Sequence, residues 1–186
     1  MKFISIEKIH EGKFITRYNV TYETTDNRLK VYEMISRNKN ITTFEQLINN
    51  PTDAVVLILH DESGERILIN REFRMAVGDY VYNFPAGLID EGETYEESAR
   101  RELMEETGLN LVSIDDVMHE SYSAVGFSNE KNICVVGTAS GTFAPSSSTF
   151  EEIEAGWYTK EEVRKLLATS HFAARTQAYC YMWSRF

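Results

Sequence analysis

The chain has 186 residues, of which 42% are hydrophobic and 26% charged, and a formal net charge of −10. That length allows one domain with a substantial core, and that composition is ordinary for a soluble globular protein. The acidic balance argues against a general binder of nucleic acid or of anionic membrane, since both partners reward basic patches. Two cysteines, Cys134 and Cys180, make no disulfide framework and no C-x-x-C pair for zinc. They read as reduced thiols of a cytoplasmic protein. The start, MKFISIEKIHEGKF, lacks the uninterrupted apolar run of a signal peptide. No stretch approaches the ~18 apolar residues of a membrane span. His10, His60, His119 and His171 show no metal-binding spacing.

Residues 1–36 predict antiparallel strands. KFISIEKIH alternates at the strand period, FITRYNVTYET is rich in β-branched and aromatic residues, and TTDN marks a turn before RLKVYEMISR. This region is small and polar on one face, too little to be stable alone. TTFEQLIN predicts a short helix that ends at Asn50-Pro51. AVVLILH (54–60) is a continuous apolar run and predicts a buried central strand. DESG (61–64) is a turn and ERILINREFR (65–74) the partner strand, so 54–74 reads as a hairpin.

Residues 87–109, GLIDEGETYEESARRELMEETGL, carry the densest chemistry. Thr94 with Glu97 fits a capping box, and Gly108 can take the left-handed conformation that stops a helix. The helix therefore runs from about Tyr95 to about Thr107. With ~3.6 residues per turn, Tyr95, Ala99 and Leu103 form one apolar stripe. Glu102 and Glu106 fall on that side, Glu105 on its edge, and Glu96, Glu97 and Arg100 opposite. Glu96–Arg100 and Glu97–Arg101 are spaced as i,i+4 pairs, each worth about 0.2–0.5 kcal/mol. A solvated, charged helix accounts for those pairs. It does not account for Glu102, Glu105 and Glu106, which are like charges, two of them turned toward the core where an unpaired carboxylate is costly. A divalent cation resolves both problems, because hard cations take carboxylate oxygens.

Beyond the helix, NICVVGTA predicts another strand. APSSSTFEEIEAGWYTKEEVRKLL opens as a loop whose Ser run is too short to separate domains. Glu151, Glu152 and Glu154 read, by themselves, as the start of a solvated strand. Lys160-Glu161-Glu162 opens a helix to about Ala168. FAARTQAYCYMWS (172–184) predicts a final helix whose aromatic stripe is core packing or dimer contact.

Segment 87–109 resembles the Nudix box, Gly-x5-Glu-x7-Arg-Glu-U-x-Glu-Glu-x-Gly-U with U aliphatic. Gly87, Glu93, Arg101, Glu102, Leu103, Glu105, Glu106, Gly108 and Leu109 match every fixed position. The resemblance implies a Mg²⁺- or Mn²⁺-dependent hydrolase of a nucleoside diphosphate linked to another group. It implies the α/β Nudix fold, an α/β/α sandwich with a mixed β-sheet, plus N-terminal antiparallel strands. Residues 1–40 would be that β extension and 41–186 the hydrolase domain. The ADP-ribose pyrophosphatase-like subgroup fits best. In it, such strands often cross over to build a homodimer and supply part of the nucleotide pocket; a plain sheet extension within one monomer is the alternative.

Glu72-Phe73-Arg74 and Phe84-Pro85-Ala86-Gly87 also resemble that subgroup, with Asn83 where it usually has Glu. Gly126 and Glu130 match its Ser-Pro-Gly-x-x-x-Glu segment, with Val125 in the proline position. By resemblance, the Ala86 carbonyl, Glu102, Glu105 and Glu106 hold Mg²⁺, and Glu151 joins them from a loop. Cations there would also bridge an acidic site to a polyanionic substrate. Arg74, Gly87, Gly126 and Glu130 would contact substrate, with a surface ion pair as the plain alternative for Arg74. Glu93 and Arg101 would brace the box. The general base in the subgroup is often a loop acid; Thr149 falls at that position, which leaves Glu152 or Glu130 for the role. ADP-ribose would yield AMP and ribose 5-phosphate. Another sugar nucleotide such as GDP-mannose, or a non-catalytic nucleotide sensor, are the competing expectations.

Overall fold

The computed structural model describes residues 1–147 and 152–186. They form two compact units, Met1–Asp53 with Glu120–Asn132, and Ala54–His119 with Ile133–Phe186.

The first unit is a three-stranded antiparallel sheet, β1 (Lys2–Glu11), β2 (Thr16–Glu23) and β3 (Leu29–Ser36), in that spatial order. Its small core is Tyr18, Val20, Met34 and Ile41, with Phe3, Ile6, Tyr22 and Leu47 packed against it. The buried Tyr18 satisfies its hydroxyl by donating to the Asn38 carbonyl at 2.8 Å. The short helix α1 (Phe44–Ile48) starts at a capping box between Thr43 and Gln46. Segment 120–132 joins this unit through Ile35 N–H to the Phe127 carbonyl (2.8 Å) and an Arg37–Glu130 ion pair (2.6 Å).

The second unit centres on β4 (Ala54–His60), as its apolar run predicts. The other elements are β5 (Arg66–Arg74), β6 (Asp79–Asn83), β7 (Ala86–Leu88), α2 (Tyr95–Thr107), β8 (Asn110–Tyr122), β9 (Lys131–Ser140), β10 (Ile153–Thr159), α3 (Lys160–Thr169) and α4 (Ala174–Trp183). The sheet order is β10-β5-β4-β9-β8, with β6 on β5 and β7 on β4. Side chains of β4 alternate between two cores. Val55, Leu57 and Leu59 meet Ala99 and Leu103 of α2; Val56 and Ile58 meet Val163 of α3 and Cys180 of α4. Both faces are covered, so the strand is apolar throughout. This is the expected α/β/α sandwich with a mixed sheet.

Helix α2 has the expected bounds, capping box and left-handed Gly108 (φ 76°). Its surface pairing differs from expectation. Glu97 accepts the Thr94 N–H at 2.8 Å and Arg100 donates to the Leu111 carbonyl at 2.7 Å, so neither predicted i,i+4 pair forms. The thirteen-residue β8 and the short β6 and β7 are additions to the predicted elements. Cys134 and Cys180 are free and buried, and burial pushes the Cys180 thiol up to about 12. Among the described residues, no helix is long and apolar enough to cross a membrane.

Candidate active site

Strand β7 lies antiparallel to β4, with Gly87 opposite Val55 and Ala86 opposite Val56. This places the loop 88–94 and helix α2 beside the Ala86-Gly87 peptide. A Cβ built on Gly87 would stand 1.8 Å from Glu102 Cδ and 2.0 and 2.1 Å from its two oxygens. Only glycine lets that carboxylate lie against the backbone here.

Arg101 ties loop to helix. Its Nε donates to Glu93 Oε1 (2.9 Å), and its Nη2 to Glu93 Oε2 (2.8 Å) and the Leu88 carbonyl (2.9 Å). Its Nη1 donates to Glu102 Oε1 at 2.6 Å and stands 3.5 Å from Glu105 Oε2. A planar guanidinium satisfies such a fork where a lysine would not. Arg101, and then the Ser98 hydroxyl, hold the Glu93 carboxyl down to about 2 from its ordinary 4.5. A carboxyl lowered in the folded state stabilises the fold fully above pH 4.5, and that contribution is lost as pH falls toward 2. Urea melts across that range are therefore expected to show wild type more stable than Glu93→Gln above pH 4.5, with the gap closing toward pH 2. A gap independent of pH would show that Glu93 braces the loop by packing alone.

The predicted carboxylates differ in setting. Glu106 is 7% exposed, and its Oε2 accepts the Asn70 Nδ2–H at 2.8 Å. The Glu102 side chain is 13% exposed and that of Glu105 49%. This matches their places around the helix. Among the described residues, no three Asp, Glu, His or Cys side chains converge as a ready set for an ion. The reason lies in their partners, because Arg101 draws on Glu102 and Glu105 while Asn70 holds Glu106. An ion would compete with Arg101 there. The donor chemistry suits a hard divalent cation, being carboxylate oxygens, one of them held in a cradle that a Cβ would fill. Glu151 and Thr149 lie outside the described residues.

Further along β5, Glu72 and Arg74 line a cavity of about 270 Å³ with Phe73, Met75, Ala76, Glu152 and Ile153. Glu72 is 7% exposed. Its Oε1 accepts the Asn83 Nδ2–H at 2.9 Å and its Oε2 the Arg74 Nη1–H at 3.3 Å. Asn83 Oδ1 accepts the Thr176 hydroxyl at 2.9 Å. The departure at Asn83 thus supplies an amide donor to a buried carboxylate. Glu152 Oε2 accepts the Tyr80 hydroxyl at 2.6 Å, and that bond pushes the Tyr80 phenol above its ordinary value. Arg71 stacks 3.6 Å over the Tyr80 ring and pairs with Glu154 at 3.0 Å. Glu130 and Gly126 belong to the first unit, where Glu130 pairs with Arg37 and the Gly126 carbonyl accepts the Tyr32 hydroxyl.

Sequence reading passed over Asn70 as a site residue, and Glu72 except as part of a motif. The signal was present: two polar residues spaced i,i+2 directly after the apolar run Ile67–Ile69, hence on one face.

A box glycine that cradles a carboxylate, braced by an Arg–Glu fork on a sandwich fold, defines a class, and comparison with known proteins agrees. The NUDIX domain family model matches residues 50–179. The chain belongs to the Nudix family. It is 31% identical over 104 residues to the ADP-sugar pyrophosphatase of Mus musculus, covering 56% of this chain and 46% of that protein. It is 25% identical over 132 residues to the ADP compounds hydrolase NudE of Escherichia coli, covering 71% and 63%. The chain thus spans less than two thirds of either relative. A solved structure of an ADP compounds hydrolase shares the fold, with TM-score 0.71 at 21% identity, over 100% of this chain and 93% of that one.

Proposed function

We propose that the protein hydrolyses the pyrophosphate bond of a nucleoside diphosphate linked to a sugar, with ADP-ribose, giving AMP and ribose 5-phosphate, as the first substrate. The observation that carries this reading is the Gly87–Glu102 cradle braced by Arg101 and Glu93, with Glu106 buried beside it. Relatives named for ADP-sugars and ADP compounds support the substrate class.

In this reading Glu102, Glu105, Glu106 and the Ala86 carbonyl would hold Mg²⁺ or Mn²⁺, with Glu151 as a further ligand. The ions would neutralise the pyrophosphate and acidify a bound water. Arg74, 55% exposed at the cavity mouth, suits a phosphate through its guanidinium geometry. Of the two proposed bases, Glu152 shares a cavity with Arg74, whereas Glu130 is engaged in an ion pair with Arg37. Glu152 therefore takes the attacking water's proton, at Oε1, since Oε2 accepts the Tyr80 hydroxyl. Glu93 and Arg101 brace the loop.

A homodimer is part of the proposal. In the first unit Leu29 and Val31, two residues apart and so on one face of β3, are 69% and 57% exposed, an apolar pair that a second copy would cover. The buried, unpaired thiols suit a cytoplasmic setting.

The test is AMP or other nucleotide release from ADP-ribose and a sugar-nucleotide panel that includes GDP-mannose, with Mg²⁺ and with chelator. The expected result is Mg²⁺-dependent release that is largest for ADP-ribose. A larger rate on GDP-mannose reassigns the sugar nucleotide and keeps the reaction. Tight binding with no product from any substrate rejects hydrolysis in favour of a nucleotide sensor.

A further inference from the structure

We propose that Asn70 is a positioning residue that orients the Glu106 carboxylate, a role that rests on the hydrolase reading above. Asn70 follows Ile67, Leu68 and Ile69, all fully buried, and is itself 1% exposed. Its neighbours across the sheet are Ala155 on β10 and Asn83 on β6. A buried amide in such a strand costs free energy unless both of its ends are bonded.

Only one end is. Nδ2 donates to Glu106 Oε2 at 2.8 Å, while Oδ1 is buried with no hydrogen-bond partner. The direction of the first bond is set by chemistry, because an ionised carboxylate only accepts. An aliphatic residue would pack at this place without an orphaned oxygen. What the chain obtains from the amide is its bond to Glu106.

That bond fixes the carboxylate. With Oε2 bonded to a side chain that packing itself immobilises, rotation of Glu106 about its last torsion is restrained, and the direction of Oε1 with it. The backbone contributes as well, since Glu106 and Asn70 sit on a helix and a strand of one core rather than on loops. Partners that orient a metal-binding side chain cost about 10–100-fold in metal affinity or activity when removed.

Asn70→Leu removes the donor while keeping the branching and the number of side-chain heavy atoms, and Asn70→Ser keeps a donor but shortens its reach. Mn²⁺ titration of the substrate-free full chain, followed by electron paramagnetic resonance, reads binding apart from turnover. Asn70→Leu is expected to raise the Mn²⁺ Kd about tenfold and to lower kcat by about 10–100-fold at saturating Mn²⁺. KM should move by less than about threefold, because Asn70 acts through Glu106 and not on substrate. Tm should fall modestly, since the buried Glu106 carboxylate loses its Asn70 donor and leucine is the larger side chain, offset in part by the loss of the orphaned oxygen. Asn70→Ser should fall between the two in Kd and kcat. Wild-type Kd and kcat in Asn70→Leu overturn the role, as does a lost activity that merely tracks a lowered Tm. If Asn70→Leu does not fold, wild-type Kd and kcat in Asn70→Ser overturn it. A wild-type chain that neither binds Mn²⁺ nor releases nucleotide instead overturns the hydrolase reading, and the positioning role falls with it.

Discussion

Glu106→Gln is expected to reduce turnover on the order of 100- to 1,000-fold while leaving the fold intact. Glutamine keeps the shape of the buried side chain, and its amide oxygen can still accept the Asn70 N–H that now reaches Glu106 at 2.8 Å. What it loses is the negative charge. Removing one well-placed electrostatic group costs roughly 3–4 kcal/mol of transition-state stabilisation, at about 1.4 kcal/mol per tenfold in rate. Nucleotide release at saturating Mg²⁺ measures the first effect, and a circular-dichroism melt the second. Turnover within a few-fold of wild type would remove Glu106 from the reaction. A collapsed melt would make it a structural residue instead.

Gly87→Ala is expected to separate activity from stability in the same way, through geometry rather than charge. The new methyl would sit 1.8 Å from Glu102 Cδ, so the carboxylate must leave its cradle. The obstacle is the far end of a flexible side chain, which can swing away, so the fold should lose only about 1–3 kcal/mol from overpacking. A displacement of about 1 Å in a reacting constellation can cost about 100-fold in rate. The expected result is a kcat lower by one to two orders of magnitude with a two-state urea transition retained. Wild-type kcat in this variant would show that Glu102 works from outside the cradle.

Helix α2 was legible because its determinants are local. The Thr94–Glu97 capping box, the stripe of Tyr95, Ala99 and Leu103, and the left-handed Gly108 all lie within one short segment. The same wheel placed Glu106 inward and Glu105 at the edge, as their exposures of 7% and 49% bear out. Strand β8 was not legible. Most of NLVSIDDVMHESY is exposed or half-buried, so its polar residues hide the period that marks a strand. Strands β6 and β7 are five and three residues long and exist through their pairing with β5 and β4. The partner of Arg100 was also hidden, because spacing along a helix shows which charges are near in that helix. It says nothing of a carbonyl at Leu111 that lies nearer, whereas the Arg101–Glu93 brace was expected from the resemblance.

The box residues, their order and the class of chemistry follow from the sequence by itself, since nine side-chain identities at set spacings need no knowledge of distant neighbours. Tertiary structure alone decided how those residues are held. It set Glu102 against Gly87, brought Asn70 to Glu106, and joined Asn83 and Arg74 to the buried Glu72. Each of these contacts except Glu72–Arg74 joins residues from different elements. Such contacts depend on strand pairing and on the packing of a helix against a sheet, which no local spacing encodes.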